Sequence, residues 1–202
     1  YAMMTTSDGG KTVNRVVRLK HGSEPAVEKV IVDNIPAATY HNGGRIAFGP
    51  DGMLYVTTGE NFKADLAQDM NSLAGKILRV TPDGAVPPDN PFPNSPIWSL
   101  GHRNPQGLAW HPETKELFVS EHGPSGEFGL RKDDEINVIV KGGNYGWPRA
   151  IGAVGEKGQI ETILLWRETG APPSGMAFFD GSLFVATQRS NALIRVDVDK
   201  KG

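Results

Sequence analysis

Three stretches of the chain share one alternation of apolar and polar positions. In the first, Gly44-Arg45-Ile46-Ala47-Phe48 passes through Pro50-Asp51-Gly52 into Leu54-Tyr55-Val56-Thr57. In the second, Gly107-Leu108-Ala109-Trp110 passes through His111-Pro112-Glu113 into Leu117-Phe118-Val119-Ser120. In the third, Gly175-Met176-Ala177-Phe178 passes through Asp180-Gly181 into Leu183-Phe184-Val185-Ala186. Short runs rich in aromatic and β-branched residues, joined by Pro, Asp or Gly, are the sequence form of a β-hairpin. A further alternating run follows each hairpin, at residues 76–80, 135–139 and 193–197, and reads as a third strand. The hairpins recur at roughly 65 residues, the signature of a repeat architecture.

A comparable run at residues 14–19 has only residues 1–6 as a strand ahead of it, so the chain is expected to begin in the second strand of a blade. Four-stranded units repeated around an axis make a β-propeller. The expected fold is all-β: one partial propeller domain over residues 1–202, an incomplete arc of about three to four antiparallel four-stranded blades, with N-terminal and C-terminal blades missing. The one helical signal, between Asn61 and Leu73, amounts to a turn or two. Because a ring of blades needs about four to eight units to hide its edges, the reading is a fragment or a ring completed by a second chain.

Composition narrows the function classes. With 21 Lys+Arg against 23 Asp+Glu and no block of like charge, nothing points to nucleic acid. No stretch approaches the roughly 18 apolar residues of a membrane span. Cys is absent, which excludes disulfides and thiolate metal sites and leaves the compartment open. The 25 Gly and 15 Pro are spread between apolar runs, as many short strands and turns require.

Candidate chemistry gathers at the open ends of the hairpins. His41 stands just ahead of an innermost strand, where propeller side chains line the channel mouth, and a neutral imidazole there suits a general base. A solvated loop histidine is its plainer reading. Glu60 closes the paired strand of the same hairpin, and a carboxylate on one ring nitrogen would fix the tautomer and support the imidazolium. Arg103 and Asn104 precede the next innermost strand in the equivalent place and suit an anionic or carbonyl-rich planar ligand, or else form a turn paired with an acid. Glu121-His122-Gly123-Pro124 follows the second hairpin at the position Glu60 holds in the first, in a turn whose main-chain carbonyls can bind Ca²⁺. Asp133-Asp134-Glu135 supplies carboxylates and Tyr145 follows; such an acidic run is otherwise a solvated face, and its spacing is not that of an EF-hand. The Gly-rich residues 142–146 lack the Lys-Ser/Thr of a phosphate loop. Trp147, Trp166 and Phe178 read as packing. Arg189 closes the third hairpin on the same rim, either facing a ligand carboxylate or exposed.

Taken together, residues 41–46, 59–60, 101–107, 121–124, 134–137 and 142–148 resemble the glucose/sorbosone dehydrogenase family in order and spacing, most closely from Tyr40 to Pro148. The resemblance implies a six-bladed propeller that binds pyrroloquinoline quinone (PQQ) over Ca²⁺ at one end of its channel and oxidises the anomeric carbon of aldose sugars to the lactone, passing electrons on to an external acceptor. It implies His41 as the base, Glu60 where the family usually has Asp, and Arg103 beside a quinone oxygen. Asn104, His122, Arg189 and, more weakly, Thr169 become further cofactor contacts. Gly123 and Pro124 become carbonyl ligands of the cofactor Ca²⁺, and Glu135 and Tyr145 members of a second, structural Ca²⁺ site. A periplasmic or secreted location follows from the same likeness, as does weak or absent PQQ binding by this arc alone unless a partner chain completes the ring. Two rivals stand beside it: a Ca²⁺-dependent propeller lactonase or esterase, in which metal polarises a carbonyl, and a non-catalytic extracellular propeller that binds proteins.

Overall fold

A computed structural model describes residues 1–22, 24–126, 129, 133–152, 158–167 and 170–198. Its first sheet joins β1 (Ala2–Asp8), β2 (Lys11–Lys20) and β3 (Ala26–Pro36). The second joins β4 (Ile46–Phe48), β5 (Leu54–Thr58), β6 (Lys76–Val80) and β7 (Ile97–Leu100). The third joins β8 (Pro105–Trp110), β9 (Leu117–Glu121), β10 (Asp134–Ile139) and β11 (Leu164–Trp166). The fourth joins β12 (Pro173–Phe179), β13 (Ser182–Thr187) and β14 (Leu193–Asp197). Every sheet is an antiparallel meander of consecutive strands, the form of a propeller blade. One 3₁₀ turn, Ala64–Ala67, lies between β5 and β6.

The hairpin turns follow from their residues. In the β4–β5 turn Gly52 takes φ +75°, and Asp51 Oδ1 accepts from the Met53 amide at 3.1 Å. The β12–β13 turn places Asp180 and Gly181 at φ +47° and +76°, the paired left-handed residues that a two-residue hairpin needs. Register confirms the repeat: Leu54, Leu117 and Leu183, spaced 63 and 66 residues apart, pair with Phe48, Trp110 and Phe178 respectively.

Strand alternation divides the core into layers between sheets. Leu54, Val56, Leu78 and Val80 face the first sheet and pack with Val16, Ile31, Val32 and Ile35. From the other face of the same strands, Tyr55 and Ile77 meet Leu108, Leu117, Val119 and Ile139 of the third sheet. Ala109, Phe118 and Ile136 then meet Leu183 and Val185 of the fourth. Full burial of each such aliphatic side chain contributes about 1.5–3 kcal/mol, so the stacking of blades on blades is the main source of cohesion.

The stack also places the site. Pairing in the second sheet continues past β4, with the Gly44 amide donating to the Thr57 carbonyl at 3.0 Å. Residues before Gly44 and after Thr57 therefore meet at the end of the blade opposite the turn at Asp51.

Candidate active site

His41 is held by its backbone before its ring does anything. It adopts φ +56°, a sparsely populated conformation for a residue with a Cβ, of the kind that clusters at functional sites. Neighbouring Asn42 anchors the segment: its Oδ1 accepts from Asn14 Nδ2 at 2.9 Å and from the Ala38 amide at 3.0 Å. The His41 carbonyl accepts from the Asn61 amide at 3.2 Å. Gly59 makes the approach feasible, since a Cβ there would lie 2.0 Å from the His41 carbonyl oxygen.

The imidazole is polarised from both sides. Nδ1 meets Glu60 Oε1, and Nε2 lies 3.0 Å from Arg103 Nη2. A guanidinium can only donate, so Nε2 accepts and the proton sits on Nδ1, donated to the carboxylate. Glu60 is 2 % exposed, and its Oε1 also accepts from the Phe62 amide at 3.2 Å. The Phe62 ring stacks on the imidazole with centroids 4.4 Å apart, which covers one face of it.

Arg103 belongs to the link between the second and third sheets and is 2 % exposed. Its Nη1 donates to the His122 carbonyl at 3.1 Å, and its guanidinium lies 5.5 Å from the Trp147 ring centroid. Its main chain is gripped as well: the carbonyl accepts from the Glu60 amide at 2.8 Å, and the amide donates to Glu121 Oε1. Asn104 Oδ1 accepts from the Gly43 amide at 3.1 Å and from Gln106 Nε2 at 3.0 Å, tying the two blades together beside His41.

His41 and Asn104 open onto a cavity of about 830 Å³ lined also by Phe62, Gln106, His122 and Arg189 among others, whereas Arg103 does not line it and reaches the site through its contact with His41. A second hollow of about 320 Å³ adjoins it through His122 and Arg189 and is lined by Gly123, Pro124 and Asp134. Three successive blades thus bring His41, Asn104, His122 and Arg189 to one mouth. Thr169 lies outside the described residues. Burial holds the His122 imidazole below its usual pKa, against the opposing pull of Asp134, and its Nε2 is buried without a hydrogen-bond partner among the described residues. Burial likewise holds the Asp134 carboxyl above the usual range, while its Oδ1 accepts from the Gly123 amide at 3.0 Å.

Glu135 and Tyr145 line neither hollow; they border a pinched space of about 10 Å³ that they share with Arg103 and Glu121 and that meets the smaller hollow at His122, Gly123 and Pro124. Glu135 pairs across the sheet with Glu121. Desolvation first, and then the Glu121 charge, pushes its carboxyl well above the usual range. The Tyr145 hydroxyl is already engaged, donating to the Val138 carbonyl at 2.5 Å and accepting from the Val140 amide at 2.8 Å. Among the described residues no three His, Cys, Asp or Glu side chains converge as a metal cage, so a cation at either place would draw on main-chain oxygens.

One detail of the sequence reading is corrected. Glu121 is the last residue of β9, paired with Pro105 and Glu135, whereas Glu60 lies two residues beyond the end of β5. Each glutamate nonetheless holds both an imidazole and main-chain N–H groups: Glu60 meets His41 and the Phe62 amide, and Glu121 meets His102 Nδ1 and the amides of Arg103 and Asn104. The sequence carries no signal for Phe62, and it shows Asp134 only as part of an acidic run and Glu121 only as the start of a Gly-Pro turn.

A family model described as glucose/sorbosone dehydrogenase matches residues 1–202. The chain belongs to that family. The aldose sugar dehydrogenase YliI of Escherichia coli K12 is 39 % identical over 167 residues, 74 % of this chain and 43 % of the relative. The quinoprotein glucose dehydrogenase B of Acinetobacter calcoaceticus is 40 % identical over 150 residues, 63 % of this chain and 30 % of the relative. Among solved structures, a putative oxidoreductase (glucose dehydrogenase) from Thermus thermophilus superposes with TM-score 0.92 at 51 % identity, covering 99 % of this chain and 62 % of that one. The PQQ-bound form of the aldose sugar dehydrogenase from Streptomyces coelicolor superposes with TM-score 0.87 at 42 % identity, over 97 % of this chain and 58 % of that one. The chain thus spans less than half the length of these two curated members of the glucose/sorbosone dehydrogenase family. Where the family resemblance led one to expect Asp, this member carries Glu60, and the longer side chain still reaches His41.

Proposed function

We propose that this chain carries the catalytic mouth of a PQQ-dependent aldose sugar dehydrogenase, which oxidises the anomeric carbon of an aldose to the lactone with His41 as general base. The observation that supports it most is the state of His41: an unprotonated Nε2 at the rim of the cavity, with Nδ1 bonded to a buried carboxylate. The aldose sugar dehydrogenases and the quinoprotein among its relatives point the same way.

The residues present fit the cofactor. Arg189 offers a guanidinium to a carboxylate, and His122 Nε2 is a buried polar atom still lacking a partner among the described residues. Gly123 and Pro124, with Asp134 beside them, line the smaller hollow and would offer main-chain and carboxylate oxygens, the hard donors that Ca²⁺ prefers. Glu135, with Tyr145, is the proposed second cation position. When bound, PQQ supplies the two-electron acceptor for the hydride that leaves the anomeric carbon.

The protein's own part is proton handling and positioning. A sugar whose anomeric hydroxyl displaces the Arg103 Nη2 contact and comes within about 2.6–3.2 Å of His41 Nε2 gives its proton to that nitrogen as the C–H bond breaks. Glu60 then faces an imidazolium, the state that a buried carboxylate stabilises most. Arg103 Nη2, no longer donating to the imidazole, would then direct that one donor toward negative charge on the acceptor, while Nη1 stays on the His122 carbonyl. Phe62 keeps water from one face of the base. Electrons leave through an external acceptor, and a periplasmic or secreted setting belongs to the same proposal.

Dye-linked turnover tests this reading. The protein is saturated with PQQ in the presence of Ca²⁺, with loading read from the quinone absorbance, and is offered a panel of aldoses while reduction of an artificial acceptor is followed. Sugar-dependent reduction is expected, with a fall on the order of 10²–10⁴ in kcat for His41→Ala. Reduction that is absent for every aldose, or unchanged in His41→Ala, overturns it.

A further inference from the structure

Behind Arg103 lies a fully buried relay that the proposed chemistry does not use. Ser99 Oγ is 2.9 Å from His102 Nε2, and His102 Nδ1 is 2.9 Å from Glu121 Oε2. Ser99 and His102 have no exposed surface and Glu121 is 2 % exposed. The order Ser, His, carboxylate is that of a nucleophile triad. No substrate reaches it, however, because Ser99 is wholly enclosed by β7 and its neighbours, and its role must be internal.

The far end of the relay shows what that role is. Glu121 Oε1 accepts from the amide of Arg103 and, at 3.3 Å, from the amide of Asn104. Those are the two residues whose side chains reach His41 Nε2 and the Gly43 amide. A carboxylate that points one oxygen at two amides is free to rotate unless its other oxygen is also held, and His102 Nδ1 is the group that holds it. The ring itself is fixed by stacking on Tyr145, with centroids 4.8 Å apart, and its amide donates to the Gly75 carbonyl at 3.2 Å.

We infer that His102 is a positioning residue: through its Nδ1–H it locks Glu121, and Glu121 in turn sets the Arg103–Asn104 corner that faces cofactor and base. The inference rests on the function proposed above for that corner, but the lock itself is a property of the polypeptide. It requires the Nδ1–H tautomer, because a carboxylate already accepting two amides takes a hydrogen bond and does not give one. Nε2 then accepts from the Ser99 hydroxyl, and that arm is dispensable.

Two amide substitutions separate the arms. The side-chain nitrogen of His102→Asn falls near the place of Nδ1, and that of His102→Gln reaches toward the place of Nε2. Affinity for PQQ, titrated by absorbance in the presence of Ca²⁺, should stay within about threefold of wild type in His102→Asn and in Ser99→Ala. It should fall about 10–100-fold in His102→Gln, the usual effect of losing a supporting contact behind a binding group. Equal losses in the Asn and Gln variants would mean that the ring serves only to fill space against Tyr145, and a loss confined to Asn would assign the role to the Ser99 arm; either overturns the inference. Should the variants fail to fold, or should the wild type bind no PQQ, ¹⁵N chemical shifts of the His102 ring in the wild-type protein still decide. A protonated Nδ1 with an unprotonated Nε2 supports the lock and the reverse tautomer overturns it, whereas absent PQQ binding counts against the proposed function alone.

Discussion

A methyl group at position 59 would sit 2.0 Å from the His41 carbonyl and 3.0 Å from Asn104 Oδ1. Gly59→Ala must therefore push apart the two chain segments that join His41 to Glu60. The expected cost is about 1–3 kcal/mol in stability, as for other overpacked sites, read as a lower urea midpoint together with weaker PQQ binding. Unchanged values on both counts would show that the segments give way freely. Glu60→Gln keeps the shape and removes the charge opposite the imidazolium, so kcat should fall on the order of 10²-fold or more while PQQ affinity holds. A variant whose PQQ affinity collapsed while kcat survived would assign Glu60 to the cofactor and not to the base. The His41–Glu60 pairing could be read from hairpin geometry alone, because both residues flank one ladder. The role of Glu121 could not: the sequence shows a glutamate before a Gly-Pro turn, and its partners, two amides and the His102 ring, lie 17 to 19 residues earlier and are brought near by pairing of β8 with β9.

At the scale of elements, β6 carries an unusual anchor. Lys76 is fully buried, and its Nζ donates to the carbonyls of Leu66, Ala67 and Ala74 at 2.7, 3.0 and 2.7 Å, fastening the 3₁₀ turn beneath the Glu60 segment. Burial lowers its pKa from 10.5 to about 8, with Asp69 opposing. Between those two values the unfolded chain binds the proton that the folded chain has released, so the contribution of Lys76 to stability rises with pH across that window. The urea stability of wild type relative to Lys76→Met should improve by about 2 kcal/mol between pH 7.5 and pH 10. A gap that does not move would show that the ammonium is as well solvated by its three carbonyls as by water. The hairpins and third strands were legible because alternation and turn residues coincide. The outermost strands were not: β7 and β11 have only four and three residues, too few to show a period. β3 carries Glu28, Lys29 and Asp33 along a largely exposed edge, which masks its strand character.

For the whole molecule, the layers between blades make protection uneven. β5 and β6 are buried along their full length on both faces, whereas every second residue of β14 is exposed. Amide hydrogen exchange should therefore be slowest in β5 and β6 and fastest in β14, and the reverse order would contradict the layered core. The propeller character was legible from the repeat. The convergence of three blades at one mouth was legible only in part, since register shifts between β8 and β9 and between β12 and β13 decide where Arg103 and Arg189 come to lie.

The central claim is that this mouth takes a proton through His41 as a sugar gives up hydride. Single-turnover mixing of the PQQ-loaded protein with glucose, and with glucose deuterated at C1, tests it most directly by following the loss of the oxidised quinone absorbance. The account predicts bleaching slowed severalfold by deuterium in the wild type, and slowed on the order of 10²–10⁴-fold further in His41→Ala. Bleaching in His41→Ala at the wild-type rate, with the same isotope effect, would contradict it.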